Sequence, residues 1–172
     1  MHHPLSSFSF SVIVHVPDDL WDSHKLEKQI SFMEKKDIAF SFSTYQFMSE
    51  DGEKFENVIK APQKMTYHSY LKNTIIGCLT VIIDREKVGE FEMPNIRSSH
   101  DMALWLLIMK RGFSAYGLDE NLAKYRVVSS SNTANKTKAA KEVWNVYRKA
   151  EKLNIVYSTI CFIGYAFNAI KK

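Results

Sequence analysis

The chain is poor in cysteine, and its net charge is small. Cys78 and Cys161 are the only cysteines among 172 residues, too few for the disulfide framework of a small secreted protein, and no cysteine–histidine spacing matches a zinc site. The formal charge is +4 at pH 7. Basic residues are spread along the chain, apart from a denser run at Lys136, Lys138 and Lys141, which does not resemble a nucleic-acid-binding surface. The composition therefore argues against a disulfide-rich secreted protein, a zinc protein and a nucleic-acid-binding protein. It favours a reducing compartment.

The chain shows no internal repeat and no secretory signal. The apolar run at residues 8–16 has no preceding Lys or Arg and no small-residue cleavage site after it. Its alternation and β-branched content predict a strand that ends at Pro17. The chain has 45% hydrophobic residues. At this length, that content predicts one sizeable core, and therefore one domain or a large piece of one.

The stretch 97–112 predicts the helix around which the rest of the chain is organised. Nearly all of its positions are apolar, so the helix should be packed on most sides, with Trp105 in the core. The expected boundaries are Ser98 or Ser99 as N-cap and Gly112 as the C-terminal stop. Asp101, in the first turn, has two open interpretations. It supplies a negative charge that the helix N-terminus favours, or it is a general base held by a rigid helix at the mouth of a cleft.

Asp18 and Asp19 follow the first predicted strand. Paired carboxylates at that position lie at the carboxyl edge of a sheet, where α/β proteins commonly bind ligands. A turn that starts a helix is an equally open interpretation, because Asp is common in both roles.

Helix and strand patterns alternate through the rest of the chain. Gly77 interrupts one strand pattern and predicts a point of close backbone approach. The predicted elements are a helix at 22–36, a short helix at 66–71, strands at 38–48, 55–59, 74–85, 113–117 and 122–128, and a loop at 86–95.

The tail from residue 135 to residue 172 has a helical pattern. Residues 153–170 carry no formal charge and would span about 27 Å as a helix. Lysines bracket this segment on both sides, at Lys149, Lys152, Lys171 and Lys172. Three interpretations remain open: a helix packed on protein, a helix in a membrane surface, or a membrane span.

The succession of these motifs resembles the second part of a family 2 glycosyltransferase, of the type that assembles teichuronic acid, capsule and O-antigen in bacteria. The resemblance covers residues 17–172. Its motifs are Asp18-Asp19-Leu20-Trp21, Lys25-Leu26-Glu27-Lys28-Gln29-Ile30, His100-Asp101 ahead of Leu104-Trp105-Leu106, and Tyr125-Arg126 with Ser129, Ser131, Asn135 and Lys136.

The resemblance implies an α/β fold of the GT-A type, with a mixed sheet flanked by helices and a long amphipathic helical tail. Residues 1–128 would form an incomplete glycosyltransferase domain containing the acceptor half. Residues 129–172 would form a C-terminal helical extension, either part of the same domain or a tail on a membrane surface.

The resemblance also implies an inverting sugar transfer from a nucleotide-sugar donor to a growing cell-surface polysaccharide or a lipid-linked oligosaccharide. Asp101 would be the base, and Asp18 with Asp19 would hold Mg²⁺ or Mn²⁺ on the donor diphosphate. The candidates for donor or acceptor binding are Arg126, Lys136 and Trp21. The expected location is the cytoplasm, with peripheral contact at the inner face of the cell membrane through residues 153–172.

Two departures from the family pattern shape these expectations. Val16 stands where the family's metal motif has a further aspartate, and only seventeen residues precede Asp18, fewer than one β-α-β unit requires. The nucleotide-binding half is therefore expected to be absent, and the chain alone is expected not to turn over a nucleotide sugar. The alternatives are a non-catalytic remnant that acts as an interaction module and a small membrane-associated scaffold.

Overall fold

A computed structural model describes residues 10–12, 19–96, 98–128 and 136–171. It confirms the predicted α/β class: a mixed seven-stranded sheet is flanked by helices, and the chain closes with a long helix. The strands are β1 (Phe10–Val12), β2 (Leu20–Trp21), β3 (Phe40–Met48), β4 (Phe55–Ile59), β5 (Lys64–Met65), β6 (Ile82–Asp84) and β7 (Ala115–Arg126). The helices are α1 (Lys25–Lys36), α2 (Tyr67–Lys72), α3 (Arg85–Val88), α4 (His100–Lys110), α5 (Lys136–Asn145) and α6 (Ile155–Ile170).

Strands β3 and β7 form the centre of the sheet and run parallel to each other. The other edge of β3 is shared by β6, which pairs near Phe40, and β4, which pairs from Tyr45 onwards, both antiparallel. The other edge of β7 is shared by β5 and β2, also antiparallel. Strand β1 pairs with β6 and confirms the first predicted strand over residues 10–12, whereas residues 13–18 lie outside the described part.

The strand predicted at 74–85 is mostly wrong, since only Ile82–Asp84 is a strand. The chain instead makes a 3₁₀ turn at Cys78–Thr80, where the Thr80 hydroxyl donates to the Gly77 carbonyl oxygen at 2.7 Å. This local bond satisfies polar groups that a strand would have to pair across the sheet. The close approach predicted at Gly77 is found. A Cβ there would lie 3.4 Å from Cε1 of Tyr45.

The two strands predicted between 113 and 128 are one strand, β7. Its pairing with β3 moves from Leu118 directly to Asn121, so Asp119 and Glu120 form a bulge. The Thr44 hydroxyl donates to the Asp119 carboxylate at 2.8 Å and holds the bulge in place. These polar residues therefore interrupt the register without ending the strand.

Smaller differences arise from side chains that bond to nearby backbone. Helix α1 begins at Lys25 instead of residue 22, because the Asp22 carboxylate accepts the His24 N–H at 2.9 Å and holds a turn. The loop predicted at 86–95 begins with the short helix α3, whose first N–H groups donate to Asp84. The helix predicted at 66–71 is α2, capped by Thr66.

Helix α4 agrees closely with its prediction. Trp105 is fully buried and packs on Phe40 with ring centroids 5.4 Å apart, as expected for a core residue. Gly112 follows the helix with φ of +100°, a conformation that favours glycine. Ser99 occupies the N-cap position, but its φ is 55° and its side chain makes no capping bond.

The C-terminal tail is helical, as predicted, but it bends. A π-helical turn at Val146–Ala150 follows α5, and α6 begins only after Asn154, whose side chain accepts the Tyr157 N–H at 2.9 Å. Val143, Val146, Tyr147 and Cys161 join the same hydrophobic core as α4. None of the helices formed by the described residues is both long enough and apolar enough to cross a membrane.

A buried polar chain ties α1 to the sheet. Lys25 is fully buried, its ammonium donates to the Gln29 side chain at 3.1 Å, and Gln29 donates to the Ser41 hydroxyl and the Thr80 carbonyl oxygen, each at 2.9 Å. The Lys25 ammonium also lies 4.3 Å from the centroid of the Trp21 ring. Burial lowers the pKa of Lys25 to about 8.

Candidate functional site

Asp101 lies in the first turn of α4 and is half-buried. Burial raises the pKa of its carboxyl group, whereas the Met102 N–H and the neighbouring His100 act in the opposite direction. The rest of α4 is packed into the core, so the backbone that carries this carboxylate is rigidly held. A partly desolvated carboxylate on a rigid helix is the arrangement that a general base requires.

The thiol of Cys78 is influenced by both predicted acidic positions. Burial raises the pKa of its thiol to about 12, and the negative charges of Asp101 and then Asp19 add to the effect. Both carboxylates are therefore within Coulombic range of one thiol, although they are 82 positions apart in the sequence.

Two tyrosines complete the surroundings of Asp101. Tyr70 on α2 is fully buried, and burial, followed by the charge of Asp101 and the proximity of Tyr45, raises its pKa well above the ordinary value. Burial likewise raises the pKa of Tyr45 on β3, with a further contribution from Tyr125. Both phenols stay protonated at neutral pH. Tyr70 lies within Coulombic range of the Asp101 carboxylate, and Tyr45 lies within the same range of Tyr70.

Tyr45, Tyr70 and Cys78 were not identified from the sequence. They come from a strand, a helix and a turn that meet only in the folded chain. Gly77 was the available signal, because its lack of a side chain leaves room for the Tyr45 ring.

Asp19 fastens two strands at the entrance to this site. It is 6% exposed, and its Oδ1 accepts the backbone N–H of Arg126 at 3.0 Å. It immediately precedes β2, which pairs with the end of β7 through Leu20 and Lys124. Asp18 lies outside the described residues.

The candidate binding residues lie in different places. Nη1 of Arg126 donates to the Glu50 carbonyl oxygen at 2.6 Å, so this guanidinium is held against the turn between β3 and β4. Trp21 lies on β2 against the Lys25 ammonium. Lys136 is exposed at the start of α5. Arg126 is linked to Asp19 through its backbone N–H.

The described residues contain no group of three or more His, Cys, Asp or Glu side chains placed to hold a metal ion. Asp18 and Val16 are outside that search. The chemistry of the acidic motif nevertheless suits a hard cation, because Mg²⁺ is commonly held by one or two carboxylates together with substrate phosphates. The metal site stays a prediction.

Curated proteins similar to this chain are bacterial glycosyltransferases, which confirms the resemblance drawn from the motifs. TuaG of Bacillus subtilis, a glycosyltransferase assigned to teichuronic acid biosynthesis, is 53% identical over 155 residues, which cover 90% of this chain and 62% of TuaG. WfgD of Escherichia coli is 41% identical over 130 residues, covering 75% of this chain and 50% of WfgD. WfaP of Escherichia coli is 35% identical over 155 residues, covering 90% of this chain and 60% of WfaP.

The names of WfgD and WfaP describe β-1,3-glucosyltransferases that act on UDP-Glc and α-D-GlcNAc-diphosphoundecaprenol. The chain is thus similar to these glycosyltransferases over most of its own length and spans between 50% and 62% of theirs. No family model matches it.

Proposed function

We propose that this chain supplies the acceptor-side half of a bacterial glycosyltransferase, with Asp101 as the catalytic base. The reaction is an inverting transfer of a sugar from a nucleotide-sugar donor to a lipid-linked oligosaccharide or a growing cell-surface polysaccharide. Two relatives with lipid-linked acceptors in their names support this class of substrate. Such an enzyme would work in the cytoplasm, close to the membrane that holds its acceptor.

The observation that carries this proposal is the environment of Asp101. Its carboxyl group is desolvated at the N-terminus of a buried helix, and it shares its electrostatic surroundings with Asp19 through Cys78. A carboxylate with a raised pKa is a stronger base than an ordinary aspartate. Asp101 would take the proton of the acceptor hydroxyl as that oxygen bonds to the anomeric carbon and the bond to the donor diphosphate breaks.

Asp18 and Asp19 are the residues proposed to hold Mg²⁺ or Mn²⁺. The bound ion would neutralise charge that develops on the leaving diphosphate. The hydrogen bond from the Arg126 N–H to Oδ1 of Asp19 supports this role, because it fixes the orientation of the whole Asp19 carboxylate, including Oδ2. Arg126 and Lys136 are proposed as further positive charges for the donor phosphates, and Trp21 as a contact for donor or acceptor.

The test uses a chimera in which the part of WfgD that this chain does not span is joined to residues 17–172, because the name of WfgD states UDP-Glc as the donor. Asp101→Asn in this chimera is expected to lower kcat by at least ~10²-fold, the usual contribution of a positioned base, with little change in the KM for UDP-Glc. Because the base must be ionised and burial raises the pKa of Asp101, activity should fall on acidification above the ordinary range of an aspartate. Steady-state rates measured across pH check both expectations.

Asp22→Asn is the matched control. Asp22 is an exposed carboxylate just ahead of α1, and its side chain also bonds to backbone. This change should leave kcat within about twofold. Unchanged kcat in Asp101→Asn would assign Asp101 to helix capping alone. An inactive chimera, together with no binding of UDP-Glc and Mn²⁺ by calorimetry, would favour the non-catalytic interaction module.

A further inference from the structure

Helix α6 exposes a continuous apolar face. At 100° per residue, Val156, Ile160, Ile163, Phe167 and Ile170 fall within an arc of about 80°. All five are exposed, for example Ile163 at 64% and Phe167 at 59%. These five residues form the outer face of α6. A helix on the surface of a soluble domain usually directs such a stripe toward the core.

The opposite face of α6 makes the contacts with the domain, and it is the more polar one. Ser158 and Cys161 are its buried residues. Asn168 donates to the Lys72 carbonyl oxygen at 3.0 Å, and the hydroxyl of Tyr157 lies 2.7 Å from Nδ1 of His68. Gly164 allows the Lys72 stem to approach, since a Cβ at Gly164 would lie 3.0 Å from that of Lys72. Phe162 of α6 also packs on Trp144, with ring centroids 5.4 Å apart. The helix is thus fixed with the five apolar side chains of its outer face directed away from the protein.

Positive charge is concentrated around this helix. Residues 136–172 contain eight Lys or Arg and two Glu, a net charge of +6, whereas residues 1–135 contain fifteen basic and seventeen acidic residues, a net charge of −2. One of the two acids, Glu151, is paired with Lys110 and its side chain is only 5% exposed. Lys152 and Lys171 are exposed at the two ends of α6, and the Lys171 ammonium lies 4.2 Å from the centroid of the Phe167 ring.

From these observations we infer that the outer face of α6 lies in the surface of an anionic membrane, with the helix parallel to the bilayer. The apolar side chains enter the boundary between headgroups and acyl chains, and the lysines at both ends meet lipid phosphates. A membrane suits this face better than a second copy of the chain, because two copies would bring together helices that both carry exposed lysines at their ends, Lys152 and Lys171. The inference rests on the proposed function for its biological sense, since a lipid-linked acceptor lies in a membrane. The observations that carry it are those of α6 alone.

The experiment is cosedimentation of the 172-residue chain with vesicles of phosphatidylcholine, with or without about one-third phosphatidylglycerol. The chain should bind the anionic vesicles at least ~10-fold more strongly than the neutral ones. The double variant Ile163→Ser/Phe167→Ser should lose ~10-fold or more of its partition coefficient, because it removes two apolar side chains from the contact.

The matched control is Phe55→Ser/Val58→Ser on β4. Phe55 is 50% exposed and has the Lys124 ammonium 4.4 Å from its ring centroid, so it resembles Phe167 in both respects but lies on the sheet. This variant should bind vesicles within about twofold of the parent chain. Equal losses in the two double variants would overturn the inference, as would full binding by Ile163→Ser/Phe167→Ser.

A charge variant keeps the test independent of the apolar substitutions. Lys152→Glu/Lys171→Glu should abolish most of the preference for anionic vesicles and leave the circular dichroism spectrum unchanged. Failure of the parent chain to bind either vesicle overturns the inference. The inference is also overturned if the chain dimerises in solution without lipid and Ile163→Ser/Phe167→Ser abolishes the dimer. In that case a second copy of the chain, and not a membrane, covers the outer face of α6. The activity of the chimera, measured separately, distinguishes this outcome from failure of the proposed function.

Discussion

Helices α4 and α6 are both rich in apolar residues, yet the fold uses them in opposite ways. Seven of the eleven residues of α4 are buried, and its one acidic residue, Asp101, is directed to the candidate site. Only two of the sixteen residues of α6 are buried. Its aromatic side chains Phe162 and Tyr165 pack against the core, whereas the five apolar residues of the outer face are exposed. Apolar composition alone therefore does not decide burial. The position of the few polar groups, and what they can bond to, decides which face turns inwards.

The comparison separates two uses of hydrophobic surface. In α4 the apolar side chains stabilise the fold and hold one carboxylate in place. In α6 they contribute little to the fold and remain available for a contact outside it. Substitutions in the two helices should consequently differ most in their effect on the free energy of unfolding.

The largest effect is expected for Trp105→Ala. This side chain is fully buried against Phe40, so its removal should lower the free energy of unfolding by about 3–5 kcal/mol through lost burial and the cavity that remains. Urea denaturation followed by circular dichroism measures the change. A loss below about 1 kcal/mol would mean that α4 is not the core helix described above, and would remove the contrast with α6.

An intermediate effect is expected for Glu151→Gln, at the junction between the two helices. The Glu151 carboxylate accepts from Lys110 at the end of α4 at 2.8 Å and from the hydroxyl of Tyr67 on α2, just before the chain enters α6. Loss of its charge leaves a charge-assisted bond unmade in a buried place, which should cost about 1–3 kcal/mol.

The control for Glu151 is Glu90→Gln. Glu90 pairs with Arg85 at the surface with its side chain 89% exposed, and exposed pairs contribute at most about 1 kcal/mol. If both variants lost the same stability in parallel urea titrations, the junction would be no more than another surface ion pair.

The smallest effect is expected for Phe167→Ser. The ring is more than half exposed, and Phe and Ser have similar helix propensities, so the free energy of unfolding should change by no more than about 0.5 kcal/mol. Thermal and urea denaturation without lipid provide the measurement. A loss of 2 kcal/mol or more, on the scale of a buried aromatic ring, would show that the outer face of α6 is covered by protein.

The sequence predicted the elements whose signal is local. Helix α4 was found within a few residues of its expected ends, because a long apolar pattern and a following glycine act within the helix itself. Strand β3 and the short strand β4 that pairs back onto it were also expected, since a turn of Ser, Glu, Asp and Gly joins them. These patterns need no knowledge of distant residues.

Elements that depend on distant partners were predicted less well. Asp119 and Glu120 suggested a break between two strands, but the parallel partner β3 extends alongside both halves and absorbs them as a bulge. Thr80 has a side chain that favours strands, yet it lies in a turn. Its hydroxyl bonds to the Gly77 carbonyl oxygen, and its own carbonyl oxygen accepts from the buried Gln29. In both cases tertiary contacts outweigh local preference.

The candidate site shows the same division. Asp101 was singled out because it is the exception in an apolar helix, and Asp19 because it follows a strand. Their common electrostatic effect on Cys78 depends on the tertiary fold, which no spacing in the sequence encodes. The phenols of Tyr45 and Tyr70 belong to the site for the same reason.

The buried amine of Lys25 provides a way to measure local motion near α1. With a pKa of about 8, half of these amines are uncharged and nucleophilic at that pH, yet none of the side chain is open to solvent. A reagent that modifies amines can reach Lys25 only when α1 lifts from Ser41 and Thr80 and the Trp21 ring moves aside. The rate of modification at this one residue, compared with that of exposed lysines, therefore reads the opening equilibrium of the element next to the acidic motif.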